Sequence, residues 1–169
     1  MKSAFSVIIV GLFAIFASCK HQKRITKFYE NGQVESVFFI KNGKKDGIAK
    51  LYYPNGNLKQ QGFWIQDKQA GKWDFYFENG RKQGEVNFKD DLQNGLSIFY
   101  YQNGFVKEKS NFLNGKVNGP VELYFSNGNI KEKSNWRSGE LDGETTRYDS
   151  VVKGKILQKT LYNMGRIVQ

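Results

Sequence analysis

The chain has 169 residues, of which 39% are hydrophobic, 15% aromatic and 25% charged, with 18 glycines, two prolines and one cysteine. This mixture excludes a disordered chain and argues against long helices, favouring many short strands joined by tight turns, while the single cysteine excludes an intramolecular disulfide. The formal charge of +10 leaves two readings open: a solvated surface that keeps an aromatic-rich sheet soluble, or attraction to an anionic partner such as lipid headgroups or an acidic protein.

The first predicted element is a signal helix over residues 1–18. Lys2 supplies a positive start, and Ala4 to Ala17 is an uncharged apolar run of fourteen residues, too short to span a bilayer comfortably. It ends in Phe16-Ala17-Ser18-Cys19, which resembles the bacterial lipobox with Phe16 in place of the usual Leu. That resemblance implies cleavage before Cys19 and acylation of its thiol; the alternative is a leftover thiol in an ordinary signal peptide. A short anchor segment, 19–26, would follow. Two or more acyl chains, at about 0.8 kcal/mol per buried CH₂, hold a protein stably at a membrane. The expected location is then the cell envelope, as a membrane-anchored lipoprotein at the periplasmic face or cell surface, where nucleic acid is not an expected partner.

From residue 27 to 169 one repeat organises the chain. Asn-Gly recurs at 31–32, 55–56, 79–80, 103–104 and 127–128, always 24 residues apart. Gly47, Gly71, Gly95, Gly119 and Gly143 keep the same period, as does the column Phe28, Tyr52, Tyr76, Tyr100, Tyr124, Tyr148. Repeats are expected near 27–50, 51–74, 75–98, 99–122 and 123–146. The segment 147–169 is read as a degenerate cap: after the insertion around Asp149 to Gly154, Ile156 matches Ile130, Tyr162 matches Trp136 and Gly165 matches Gly139. Terminal units of repeat arrays commonly diverge because one side lacks a neighbour.

Asn-Gly between aromatic and branched residues predicts a two-residue hairpin turn of type I′, with positive φ at both positions. That register sets Tyr53 against Leu58, Leu51 against Gln60, Ala49 against Gly62 and Gly47 against Trp64. One sheet face then carries an aromatic and aliphatic stripe with Trp64, Phe88, Phe112 and Trp136 at its far end, each ring covering the space left by the opposite glycine. The other face carries Tyr52, Tyr76, Tyr100 and Tyr124 among Lys and Asn. Six-residue connections such as Lys41 to Asp46 and Leu113 to Asn118 have turn compositions. The predicted fold is all-β: an antiparallel meander of five to six stacked hairpins, about ten to twelve strands in one elongated, twisted sheet.

The unit Leu51-Tyr52-Tyr53-Pro54-Asn55-Gly56-Asn57-Leu58-Lys59, followed by Trp64 and Gly71, resembles the MORN repeat, in the variant found in bacterial YwqK-type antitoxin proteins. The resemblance covers Lys27 to Gly143 well and Thr146 to Gly165 weakly. It implies a sheet of stacked hairpins used for membrane or protein association and as a scaffold, and, in some bacterial members, for neutralising a toxin by binding it.

No catalytic constellation emerges. His21 is the only histidine and has no ligand-spaced cysteine or carboxylate pair beside it; Asp90-Asp91, Asp46 and Asp142 read as turn residues; no glycine opens a phosphate-binding helix. The expectation is a non-enzymatic protein without metal or cofactor. Its anchor is Cys19, and its candidate binding surface is Tyr52, Tyr76, Tyr100, Tyr124, Trp64, Phe88, Phe112 and Trp136. The partner would be a protein or envelope component. The alternative function is an antitoxin or immunity protein that binds a toxin directly, and anionic lipid contact is a third reading.

Overall fold

A computed structural model describes residues 22–168. Within them every regular element is a strand, and all sixteen belong to one antiparallel sheet whose main path follows chain order. Twelve strands are six residues or longer: β1 (Lys23–Phe28), β2 (Val34–Lys41), β4 (Gly47–Tyr52), β5 (Leu58–Ile65), β6 (Lys68–Tyr76), β7 (Lys82–Lys89), β9 (Gly95–Tyr100), β10 (Val106–Leu113), β11 (Lys116–Tyr124), β12 (Ile130–Arg137), β14 (Gly143–Tyr148) and β15 (Ile156–Asn163). The four short pieces are β3 (Lys44–Lys45), β8 (Leu92–Gln93), β13 (Glu140–Leu141) and β16 (Arg166–Ile167). The signal helix, Cys19 and His21 lie outside the described residues. The sheet begins at Lys23, so the segment 19–26 contributes its last four residues to β1.

The repeat builds two kinds of hairpin end. At the Asn-Gly end the expected type I′ turn is replaced by a four-residue turn, Tyr53 to Gly56, in which Gly56 N–H donates to the Tyr53 carbonyl at 2.9 Å and Tyr53 N–H to the Asn57 carbonyl at 2.8 Å. Positive φ is confined to the glycine, 85° at Gly56. This is a type I turn closed by a left-handed glycine bulge, and Pro54 fits its second position because its ring fixes φ near −65°. The bulge shifts the register by one, so that Tyr52, and not Tyr53, faces Leu58. Gly47↔Trp64, Ala49↔Gly62 and Leu51↔Gln60 pair as the alternation requires.

The two-residue turns with positive φ at both positions lie at the opposite end, in the connections: Asn42-Gly43, Gln66-Asp67, Asp90-Asp91, Asn114-Gly115, Ser138-Gly139 and Met164-Gly165. Past each of the first five turns the strand reaches the second glycine column, with φ of 119° at Gly47 and 101° at Gly95. Left-handed backbone, and not a covering ring, is the reason for glycine there: a Cβ at Gly71 would meet nothing within 4 Å. The irregularity divides three strands, between β3 and β4, β8 and β9, and β13 and β14, so that sixteen pieces come from thirteen strands.

With no second layer among the described residues, the sheet covers one row of its own side chains. The row runs through the register pairs Ala49↔Gly62, Trp73↔Val86, Ser97↔Ser110, Val121↔Ser134 and Thr145↔Thr160. Ala49, Trp73, Val86 and Val121 are its buried hydrophobic members, and Trp73 is 0% exposed. Full burial of a side chain that large contributes roughly 1.5–3 kcal/mol or more.

Candidate binding surfaces

Successive repeats are locked by side chains reaching 21 to 23 residues ahead. Tyr29, Tyr53 and Tyr101 donate their hydroxyls to the carbonyls of Tyr52, Tyr76 and Tyr124 at 2.7–2.8 Å. The turn asparagines Asn31, Asn55, Asn103 and Asn127 donate Nδ2 to Pro54, Glu78, Ser126 and Ser150 carbonyls at 2.7–3.2 Å. Each also accepts, through Oδ1, the N–H two residues on. At Asn79 the forward bond is made instead by Arg81, whose Nη1 donates to the Gln102 carbonyl at 2.8 Å. These bonds hold both faces in fixed register, which is what lets a side chain in one repeat act together with a side chain in the next.

On the first face Trp64, Phe88, Phe112 and Trp136 are all half-buried, opposite the bulge glycines. Trp73 stands edge-on to Trp64 at 5.5 Å and to Phe88 at 6.4 Å between ring centroids, both in the favoured perpendicular geometry. Trp136 Nε1 donates to Ser134 Oγ at 2.9 Å. Trp64 joins a hollow of about 290 Å³ with Phe38, Leu51, Gln60, Lys45 and Glu35. Lys45 Nζ lies 4.5 Å from the Trp64 ring centroid and 5.6 Å from that of Phe38. An aromatic wall with a cation, an amide and a carboxylate at its rim suits an extended peptide or polymer segment that presents a flat apolar group beside polar ones.

On the second face Tyr52, Tyr76, Tyr100 and Tyr124 are half-buried, and ion pairs lie beside Tyr76 and Tyr124. Tyr124 donates to Glu122 Oε2 at 2.6 Å, and Lys133 Nζ is 3.5 Å from Glu122 Oε1. Burial and that hydrogen bond push the Tyr124 hydroxyl up to about 12, while the same bond, aided by Lys133, holds Glu122 below the usual carboxylate range. Two repeats earlier, Glu85 takes both Lys72 and Lys82 at 2.6 Å, and Lys82 also reaches Asp74 at 3.0 Å. Hydrogen bonds from Lys72 and Lys82 lower the Glu85 carboxyl; for Lys82, burial works downward but its bonds to Glu85 and Asp74 prevail and raise it. The tyrosine column is thus partly committed to the array's own electrostatics.

The sequence reading grouped Trp64 with its 24-residue equivalents but did not single out Lys45, whose position over two rings follows from the bulge geometry, or Trp73. A trace of Trp73 exists in the sequence, since it occupies the column of Ala49, Ser97, Val121 and Thr145, where every other residue is small. Asp90 and Asp91 are the two centres of a type I′ turn, Asp90 lying 3.5 Å from Lys68 and Asp91 accepting the Gln69 N–H at 2.7 Å. Among the described residues no group of three His, Cys, Asp or Glu side chains is placed to hold a metal ion.

An open array of laterally stacked hairpins, with aromatic columns displayed on both faces, defines a repeat protein of the binding or scaffold class. The pattern of the family described as "MORN repeat variant" matches residues 45–66, 69–90, 93–114 and 117–138, four successive hairpins each centred on an Asn-Gly turn. The chain belongs to the MORN repeat variant family. No curated protein matches it.

Proposed function

We propose that this chain is a non-catalytic binding module, tethered to a bacterial membrane through acylated Cys19, that holds a protein or envelope component along its aromatic face. The observation that carries the reading is the hollow beside Trp64, where Phe38, Lys45 and Gln60 from adjacent hairpins converge on one ring. Register-locked repeats give such a surface the rigidity that keeps the ordering cost of binding low. The lipobox-like Phe16 to Cys19 supports the tether.

The test is affinity capture from the organism's own membranes with the full chain and with Trp64→Ala and Lys45→Glu. A partner that is retained by the parent and lost by both variants supports the module. If capture is indifferent to both substitutions, the aromatic face is not the binding surface. A recurrent partner that kills cells when this protein is absent would redirect the reading to an immunity protein. Cys19→Ala is expected to move the protein from the membrane to the soluble fraction, and an unchanged membrane fraction would remove the tether.

A further inference from the structure

The second face is not uniform along the array. At its type I′ end the first repeats place Phe39, Ile48, Phe63 and Ile65, of which Ile48, Phe63 and Ile65 are 53%, 41% and 52% exposed. Later repeats carry polar groups at most of the same positions: Asn87, Asn111 and Asn135 where Phe39 and Phe63 stand, Lys72 where Ile48 stands, and Lys89 and Arg137 where Ile65 stands. Phe39, Ile48 and Phe63 converge on a hollow of about 440 Å³ that Gln22 and Lys41 also line. Around it lie Arg24, directly paired with Phe39, and Lys41 and Lys44, the two residues flanking the adjoining turn. Between Gln22 and Lys59 there are eight Lys or Arg and three Asp or Glu, against sixteen and thirteen from Gln60 to Val168. Apolar exposure and excess positive charge thus coincide in the first two repeats; the terminal cap combines them again, with Val151, Leu157 and Ile167 exposed and five Lys or Arg against one Asp from Arg147 to Val168, but it lies at the other end of the sheet from β1.

We propose that this patch seats on the anionic lipid surface to which Cys19 is tethered, with Phe39, Ile48, Phe63 and Ile65 entering the headgroup boundary and Arg24, Lys41 and Lys44 meeting lipid phosphates. The proposal rests on the tether described above. What selects lipid as the occupant is distance: only two residues separate Cys19 from Gln22, which lines the hollow, so three peptide steps of about 3.3–3.6 Å each keep the acylated residue within roughly 10 Å of the patch. A surface held that near is presented to the patch at high effective concentration, and a chain anchor combined with basic and apolar side chains is the combination that makes peripheral attachment stable. The array would then lean on the bilayer by its first two repeats, leaving the later repeats clear of it.

Acylation consumes the only native thiol, so a cysteine introduced elsewhere in the processed full chain is the sole labelling site. A polarity-sensitive fluorophore is placed at Phe63→Cys or at the equivalent Asn135→Cys, and the protein is reconstituted in vesicles of phosphatidylglycerol and phosphatidylcholine containing a spin-labelled lipid. Loss of most of the fluorescence at position 63, with little loss at 135, is expected. A third protein carries Phe39→Asn and Phe63→Asn, which copy residues the later repeats already hold, with the label at Ile48→Cys; its quenching should fall well below that of Ile48→Cys alone while the protein still floats with vesicles. Equal quenching at 63 and 135, or none at either while flotation persists, overturns the patch and leaves the tether standing. A label at 63 that is shielded from water but not quenched by lipid overturns it in favour of a protein occupant. Failure to float, with Cys19 still reactive toward thiol reagents, removes the tether and this proposal with it.

Discussion

The indole of Trp73 lies so close against Gly62 that a methyl group added to the glycine would overlap the ring. The two residues sit at the irregularity between β5 and β6, flanked by the pairs Gln61↔Asp74 and Phe63↔Ala70. Gly62→Ala is therefore expected to destabilise the array by roughly 1–3 kcal/mol through overpacking, and Trp73→Ala by about 3–5 kcal/mol through loss of a fully buried ring. The double variant Gly62→Ser with Trp73→Val reproduces the Ser110↔Val121 pair of a later repeat. Urea unfolding should show it less damaged than the two single changes add up to, and simple additivity would mean that the two positions are not coupled.

The turn at Asn103-Gly104 has Gln102 where Pro54 stands in the second repeat. In a type I turn that position already has the φ of proline, so Gln102→Pro should stabilise by about 0.4–1 kcal/mol by restricting the unfolded chain. A type I′ turn would place Gln102 in the strand and make the same change harmful, so the sign of the shift in the unfolding midpoint discriminates the two geometries.

Forward bonds between repeats distinguish otherwise identical asparagines. Asn55 caps its own turn and reaches the Glu78 carbonyl, whereas the forward bond of Asn79 is supplied by Arg81. Asn55→Ala should cost more than Asn79→Ala by about 0.5–1.5 kcal/mol, the worth of one further hydrogen bond, and amide hydrogen exchange in β4 to β7 should loosen accordingly.

Phe77 occupies the column in which Tyr53 and Tyr101 staple the next repeat. Phe77→Tyr is expected to add a bond to the Tyr100 carbonyl and raise stability by about 0.5–1 kcal/mol, while Tyr101→Phe should lower it by a similar amount. Thermal unfolding of the pair checks both directions.

Acid and alkali should act through different groups. Glu85 and Glu122 have folded-state values below 4.5, so the stability they contribute is present above that pH and is lost as pH falls through their lowered values. Tyr124 is raised from 10.0 to about 12, so its contribution is complete below pH 10 and is lost as pH rises toward 12. Ultraviolet titration of tyrosinate should show a component near pH 12 that is absent in Tyr124→Phe, and Glu122→Gln should move that component to lower pH.

The strand pattern, the 24-residue period and most cross-strand partners were legible because alternation of side chains and recurrence of glycine are local properties of the chain. Gly47 facing Trp64 and Ala49 facing Gly62 follow from counting outward from one turn. The type I′ turn expected at the Asn-Gly end lies instead within the connections that were read as six-residue segments, because Asn-Gly is compatible with both geometries and the choice depends on whether two or four residues close the hairpin. Pro54 was the local sign of the longer turn. Asp90-Asp91, with no glycine, concealed a type I′ turn altogether.

The surfaces divide along the same line. Composition and spacing by themselves determined that aromatic columns exist, that they occupy opposite faces, and that the chain belongs to an array of hairpins, since each of these depends on periodicity within a strand. Which ring is core and which is surface was decided only in three dimensions: Trp73 is enclosed because Gly62 across the strand boundary leaves it room, and Trp64 opens onto a hollow because Lys45 and Phe38 arrive from the preceding hairpin. Those neighbours are between 11 and 26 residues away in the chain, and only lateral stacking of the hairpins makes them adjacent.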